Sequence, residues 1–231
     1  MGFGRDFRGT VILEEFVHSE LYALDTWCRI MIAVVFGRRG SGKSVLGRYL
    51  LDRQIEAQFG VGVIVDTLLE HVDVAEIELE NLEAVISQAR TRGSCPLVRV
   101  AVPDPLAFEF LAGQIAASTI YDRQVILMVD ELSYWTRPNM TVPGLSSLIR
   151  YGRHWNCSII GVSRRAAETS REFTAQADEL YIFAVHEPRD LAYFGEILPP
   201  EAMSKIGSLE KFHYLKYSVD GTWTVCPPVN F

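Results

Sequence analysis

The string Gly37-Arg38-Arg39-Gly40-Ser41-Gly42-Lys43-Ser44 satisfies G-x-x-x-x-G-K-[ST]. Residues of these types at this spacing can do one kind of chemistry well. The glycines let the backbone curl until several N–H groups converge on phosphate oxygens, and the N-terminus of a following helix adds partial positive charge. Lys43 supplies a point charge for the β- and γ-phosphates, and the Ser44 hydroxyl is a ligand for Mg²⁺. Lysine is scarce in the chain, occurring only at 43, 205, 211 and 216, so its presence at this position is informative. The string implies a nucleoside triphosphate site. ATP is the expected nucleotide, although no local motif addresses the base.

A second string, Val125-Ile126-Leu127-Met128-Val129-Asp130-Glu131, delivers two adjacent carboxylates at the end of a hydrophobic run. If that run is a strand of an open α/β sheet, the pair sits at the edge where such sheets bind ligands. Asp130 is then placed to hold the hydration shell of Mg²⁺, and Glu131 to polarise the attacking water as general base. A nucleotide switch or a small-molecule kinase has no need of a water-activating carboxylate there. The pair therefore points to hydrolysis.

These residues need a scaffold, and the hydrophobic pattern supplies one. Residues 30–36 form a continuous apolar, partly β-branched run ending at glycine, the pattern of a strand covered on both faces. Residues 44–59 carry Leu46, Tyr49, Leu50 and Arg53 at helical spacing, and Gly60 supplies the stop. Further strands are expected at 10–13, 61–65, 97–102, 125–129, 158–163 and 180–185. Helices are expected at 106–118 and 145–155, and one or two within 74–92. A polar, proline-bearing loop is expected at 132–144, and a terminal hairpin at 212–218 and 222–226 about Asp220-Gly221. Alternating strands and helices predict a mostly parallel sheet with helices on both faces, extended antiparallel by the hairpin. The expected organisation is a single P-loop ATPase domain over 1–231, with an extension at 1–29, a core at 30–185 and a C-terminal segment at 186–231.

Composition bounds the alternatives. The chain has 231 residues, 48% hydrophobic and 22% charged, which is ordinary globular usage. The longest apolar run falls far short of the ~20 residues of a membrane-spanning helix, and the N-terminus has no signal pattern, so an intracellular protein without stable membrane insertion is expected. The four cysteines, at 28, 95, 157 and 226, have no metal-ligand spacing. A net charge of −7 speaks against a chain that coats nucleic acid along its whole surface. The charge is uneven, however: seven carboxylates and no Lys or Arg from Asp66 to Glu83, and six arginines from Arg137 to Arg171.

Within that arginine-rich stretch, Arg150-Tyr151-Gly152-Arg153-His154 precedes the apolar run that ends in Ser163-Arg164-Arg165. Together with Val63-Ile64-Val65-Asp66 and Glu70-His71, and with Val98-Arg99-Val100 and Pro103-Asp104-Pro105, this order of motifs resembles the FtsK/HerA superfamily of ring-forming, DNA-pumping ATPases. The chain looks closest to the small genome-packaging ATPases of tailless, membrane-containing viruses. The resemblance covers about two-thirds of the chain, residues 30–185. It implies a strand order in which the Ser163 strand lies between the phosphate-loop strand and the Asp130 strand. It also implies an arginine acting on the nucleotide of a neighbouring subunit, matched by Arg153 with Arg150 as the alternative. The family's sensor glutamine falls on Arg164, so Ser163 or Arg164 takes that role or the sensing is altered. The partners implied are double-stranded DNA, further copies of the chain in a homo-oligomeric ring, and capsid or portal-vertex proteins. The implied locations are the host cytoplasm and the virion. A phage-morphogenesis or secretion ATPase is the competing function, and a small-molecule kinase a more distant one. The residues 133–140, with Tyr134, Trp135 and Arg137, are a candidate DNA-contacting loop.

Overall fold

The computed structural model describes residues 30–229; the strand expected at 10–13 lies outside the described residues. In chain order the elements are β1 (Ile32–Phe36), α1 (Lys43–Gln58), β2 (Val61–Val65), β3 (Ala75–Ile77), α2 (Leu82–Arg92), β4 (Leu97–Val100) and α3 (Pro105–Ser118). There follow β5 (Val125–Val129), α4 (Leu132–Trp135), β6 (Thr136–Arg137), β7 (Met140–Thr141), α5 (Pro143–Tyr151), β8 (Cys157–Ser163) and α6 (Arg171–Gln176). The remainder comprises β9 (Glu179–Phe183), α7 (Pro188–Gly195), α8 (Pro200–Ile206), β10 (Tyr214–Ser218) and β11 (Trp223–Cys226).

Nine strands form one sheet in the order β11-β10-β9-β1-β8-β5-β2-β4-β3. Pairing is parallel from β9 to β3, and β10 and β11 extend the sheet antiparallel. β8 lies between β1 and β5, as the resemblance implies. The central strands are buried along their whole length, which explains why they read as unbroken apolar runs without alternation. Within each strand successive residues still go to opposite faces. Met31, Ala33 and Val35 pack with Leu46, Leu50, Leu51 and Ile55 of α1, whereas Ile32, Val34 and Phe36 join the larger core under the other helices. The helices are thus divided unequally: α1 takes one face, and α2, α3, α5, α6, α7 and α8 contribute to the other.

Two expected elements are corrected. The 74–92 segment begins with the edge strand β3, and only its second half is α2, preceded by a single 3₁₀ turn at Leu79–Asn81. Glu76 of β3 pairs with Arg99 of β4 at 2.6 Å, a cross-strand contact that a short charged stretch does not announce by periodicity. The 132–144 segment is not an open loop. It folds as α4 and the β6–β7 hairpin, and Pro143 sits in the first turn of α5, where its missing N–H costs nothing.

Glycine marks the tightest helix contact. A Cβ on Gly144, at the start of α5, would run into the carbonyl of Phe108 and lie 2.6 Å from the N of Glu109, both in α3. Gly113, within α3, faces open space. The same substitution therefore has opposite signs at the two sites. Gly144→Ala is expected to destabilise by about 1–3 kcal/mol through overpacking. Gly113→Ala is expected to stabilise by roughly 0.5–1 kcal/mol through lost backbone entropy in the unfolded chain. Urea denaturation of the two variants checks both signs.

Candidate active site

The parallel strands direct the site to their C-terminal edge. β1 ends at Phe36, and the N–H of Gly37 donates to the carbonyl of Ser163 at 3.1 Å, tying the phosphate loop to the last residue of β8. The loop then turns with Gly40 at φ +75° and Gly42 at φ +96°, a conformation that disfavours a side chain. Gly42 provides no side-chain cap for α1, so the first N–H groups of that helix have no intrahelical acceptor and remain available to an anion. The buried Ser41 hydroxyl also has no partner among the described residues. These unpaired donors fit a polyphosphate. A cavity of about 630 Å³ opens over the loop, bounded by Arg39, Lys43, Ser44, Leu68, Glu70 and Arg164.

Asp130 and Glu131 leave the end of β5 with different surroundings. Asp130 is 2% exposed. Its Oδ2 is 3.1 Å from Nε2 of His71, and its Oδ1 accepts the N–H of Glu131 at 3.0 Å. His71 is brought there by Asp66, whose two oxygens accept the N–H groups of Glu70 and His71 at 2.9 and 3.0 Å. Arg99 closes the scaffold from β4, 3.8 Å from Asp66. The Asp130 contact pushes the His71 imidazole above its ordinary pKa, against the opposing effect of burial. Ser44 and Asp130 are hard oxygen donors of the kind Mg²⁺ takes, so these residues fit that ion and are the ones that would hold it.

Glu131 is buried and sits between two cations. Its Oε1 is 2.7 Å from Nε of Arg164 and 3.7 Å from Nζ of Lys43. Its backbone is left-handed, at φ +54°, an uncommon conformation for a side chain with Cβ and one that clusters at functional sites. This turn separates Glu131 from the direction of β5 and starts α4 immediately after it.

Of the residues expected in the site, Lys43, Glu131 and Arg164 meet directly. Gly42, Lys43 and Ser44 share the cavity with Arg39 and Gly40. Arg38 faces neighbouring cavities on the other side of the loop. Ser163 is fully buried, and its hydroxyl is spent on Thr169 Oγ1 at 3.0 Å and the Arg165 carbonyl at 3.2 Å. Arg165 points away and pairs with Asp190 and Glu187 at 2.9 Å each. Arg153 precedes β8 at the opposite edge of the sheet, paired at 2.9 Å with Asp178, which also accepts the N–H of Ile32 at the start of β1. Arg150, near the end of α5, reaches back to Glu172 at 2.7 Å, on the oxygen that Ser146 also binds. A five-residue strand spans about 16 Å, so Arg153 does not reach the phosphate loop of its own chain. His71 and Arg99 were visible only as parts of the motif strings. Their convergence on Asp130 and Asp66 joins residues far apart in the chain, and no local spacing announces it.

A phosphate loop after β1, an acidic pair after β5 and β8 between them define the fold of a P-loop NTPase. Among solved structures, the chain is similar to the genome-packaging NTPase B204 of Sulfolobus turreted icosahedral virus 2 in complex with ATP-gammaS. That match has a TM-score of 0.75 and 22% identity, over 87% of this chain and 98% of that one. The same protein in complex with AMPPCP gives the same TM-score and identity, 0.75 and 22%. The cytoplasmic domain of the type VII secretion ATPase EccC of Thermomonospora curvata matches at a TM-score of 0.56 and 15% identity, over 87% of this chain and 24% of that one. No protein-family profile and no curated protein sequence matches the chain.

Glu131→Gln removes the charge that accepts a proton while keeping the side chain's size. Its turnover is expected to fall by about 10²–10⁴-fold with nucleotide affinity retained, the signature of a lost general base. Single-turnover hydrolysis measured beside equilibrium nucleotide binding checks this.

Proposed function

We propose that this chain is an ATP-hydrolysing motor that drives double-stranded DNA into a preformed viral capsid. It works as a homo-oligomeric ring at the packaging vertex, in the infected cytoplasm and on the virion, against capsid or portal proteins. The observation that carries hydrolysis is the buried carboxylate of Glu131 held between Lys43 and Arg164, beside Asp130. Likeness in fold to a genome-packaging NTPase over nearly the whole of both chains supports DNA as the cargo.

In this reading the triphosphate lies along the first turn of α1, with Lys43 against the β- and γ-phosphates. Ser44 and Asp130 would hold Mg²⁺, which would supply charge neutralisation on the phosphates. The γ-phosphate brings a second anion into the cavity that Arg164 lines, and it competes with Glu131 for that guanidinium. Glu131 is thereby released to take a proton from the water that attacks the γ-phosphorus, giving ADP and phosphate. Arg164, with its head in the cavity, does the sensing; the Ser163 hydroxyl is committed to the turn that holds it.

Arg153 serves the nucleotide of a neighbouring subunit. Its side chain is 68% exposed despite the pair with Asp178, so part of its five-donor guanidinium faces solvent. The DNA contact is assigned to the β6–β7 hairpin. Trp135 is not free for it: the ring is buried edge-on against Phe108, and its N–H donates to Thr67. Tyr134, Arg137 and Met140 are exposed on the edge of the sheet that holds the phosphates. The one-turn α4 links Glu131 to this hairpin, so nucleotide state and grip are mechanically adjacent. Likeness to a secretion ATPase favours one second reading, a protein-extruding motor, in which DNA has no effect on hydrolysis.

Duplex DNA is expected to stimulate ATP hydrolysis, with the stimulation declining as salt rises. Arg137→Ala is expected to reduce the ratio of the DNA-stimulated to the DNA-independent rate. Titrating DNA at two salt concentrations checks both, and a rate indifferent to DNA selects the protein-extruding reading. Arg153→Ala and Glu131→Gln proteins, each inactive alone, are expected to recover part of the activity when mixed, because one interface then combines an intact arginine with an intact base. ATPase assays across mixing ratios, with assembly followed by light scattering, check this.

A further inference from the structure

A second cavity of about 220 Å³ shares Gly42 and Val45 with the phosphate cavity but has a different character. Its walls are Leu46 of α1, Phe183 at the end of β9, Phe212, Tyr214 of β10, Pro228 and Val229. It is apolar. On the other flank of the phosphate loop, by contrast, the adjoining cavity is lined by Arg38, Arg39, Glu210, Lys211 and His213. Phe212 stands at the boundary between these two spaces. It carries a left-handed backbone at φ +67°, is 42% exposed, and lies beneath the Lys211 ammonium at 4.8 Å. A Cβ on Gly42 would meet the Phe212 ring at 3.4 Å, so the ring lies directly against the phosphate loop.

We infer that this cavity receives the base of the bound nucleotide, with Phe212 as its stacking platform. The inference rests on the nucleotide reading above and adds to it where the base goes and how it is chosen. A nucleotide whose phosphates lie on the N–H groups of Gly42 to Ser44 has its base one ribose away. The apolar space adjoins those N–H groups at Gly42 and Val45 and extends away from them to Pro228 and Val229. A left-handed phenylalanine is costly to maintain, and an exposed ring has no core to justify it. A flat aromatic base supplies the missing contact.

The same lining limits specificity. Tyr214 carries the one polar side-chain group in the wall, and its hydroxyl lies beside the Cys226 thiol. No charged or amide side chain lines the cavity to read the amino or carbonyl group that distinguishes adenine from guanine. The base is held by stacking, which every purine satisfies, and not by hydrogen bonds, which reject the wrong partner. The site therefore takes purine nucleoside triphosphates with little preference between them.

The test is calorimetric titration of the full chain, with Mg²⁺ present, using the β,γ-methylene analogues of ATP and GTP and tripolyphosphate. The two analogues are expected to bind the parent protein within about fivefold of each other. Phe212→Ala is expected to weaken both by about tenfold or more, the loss of one base–aromatic stack. Tripolyphosphate, which has no base, should keep the parent's Kd. Phe212→Leu, which preserves apolar volume if the alanine variant is poorly folded, should weaken the analogues and spare tripolyphosphate in the same way. Phe212→Trp should retain affinity and gain a tryptophan signal quenched by the analogues but not by tripolyphosphate. Unchanged analogue affinity in both the Ala and Leu variants overturns the assignment, as does an equal loss for tripolyphosphate. A preference between the two analogues beyond about a hundredfold shows hydrogen-bond readout and overturns it as well. Failure of the nucleotide reading itself looks different. In that case the parent binds neither analogue nor tripolyphosphate, or Lys43→Ala leaves tripolyphosphate affinity intact, and the base assignment falls with it.

Discussion

A buried carboxylate between two cations is the interaction on which the rest of this structure depends. Glu131 is removed from water, so its charge must be compensated, and Arg164 and Lys43 do so from two other elements. The contact therefore joins the ends of β1, β5 and β8, three adjacent strands of the sheet. Those ends are level only because the strands are parallel and in register, with Phe36 opposite Ser163 and Val129 opposite Gly161. The unbroken apolar strands, the helices that cover them and the glycines that let backbones approach closely all keep this edge aligned.

The same ion pair explains how one site can rest and then react. A carboxylate clamped to a guanidinium is occupied by that contact and is not free to meet a water. In the proposed cycle the γ-phosphate takes over the guanidinium and frees the carboxylate. Asp130 is treated in the opposite way. His71, Asp66 and Arg99 form a chain of contacts from β2 and β4 that restrains it. One acidic residue is held by a histidine and a backbone N–H and its neighbour by two side-chain cations, a division that suits the metal-holding and proton-accepting roles proposed for them.

The two edges of the sheet carry different duties. The C-terminal edge gathers the phosphate loop, the acidic pair, Arg164, the apolar cavity at Phe212 and the β6–β7 hairpin. The opposite edge holds Arg153, paired with Asp178 of the same chain and still largely exposed. In the ring proposed above, an arginine so remote from its own nucleotide is available to a neighbour.

The sequence by itself determined the class of chemistry and most of the sheet. The phosphate loop and the Asp130–Glu131 pair are local strings whose meaning lies in residue type and spacing, and fully buried strands announce themselves as apolar runs. The β10–β11 hairpin was legible for the same reason, since Asp220 and Gly221 form the turn through their own local geometry, with Gly221 at φ +86°. Shorter elements failed that test. β3 is three residues long and α4 a single turn, so neither shows a period, and the short helices α6, α7 and α8 lie outside the expected elements. Only the tertiary structure decided the partners. That His71 restrains Asp130, that Arg164 meets Glu131 while Arg165 turns away, that Trp135 is core while Tyr134 is free, and that Phe212 closes on Gly42 all depend on contacts between residues dozens to more than a hundred positions apart. Such contacts are set by the order and register of strands in the sheet, which hydrophobic periodicity along the chain does not encode.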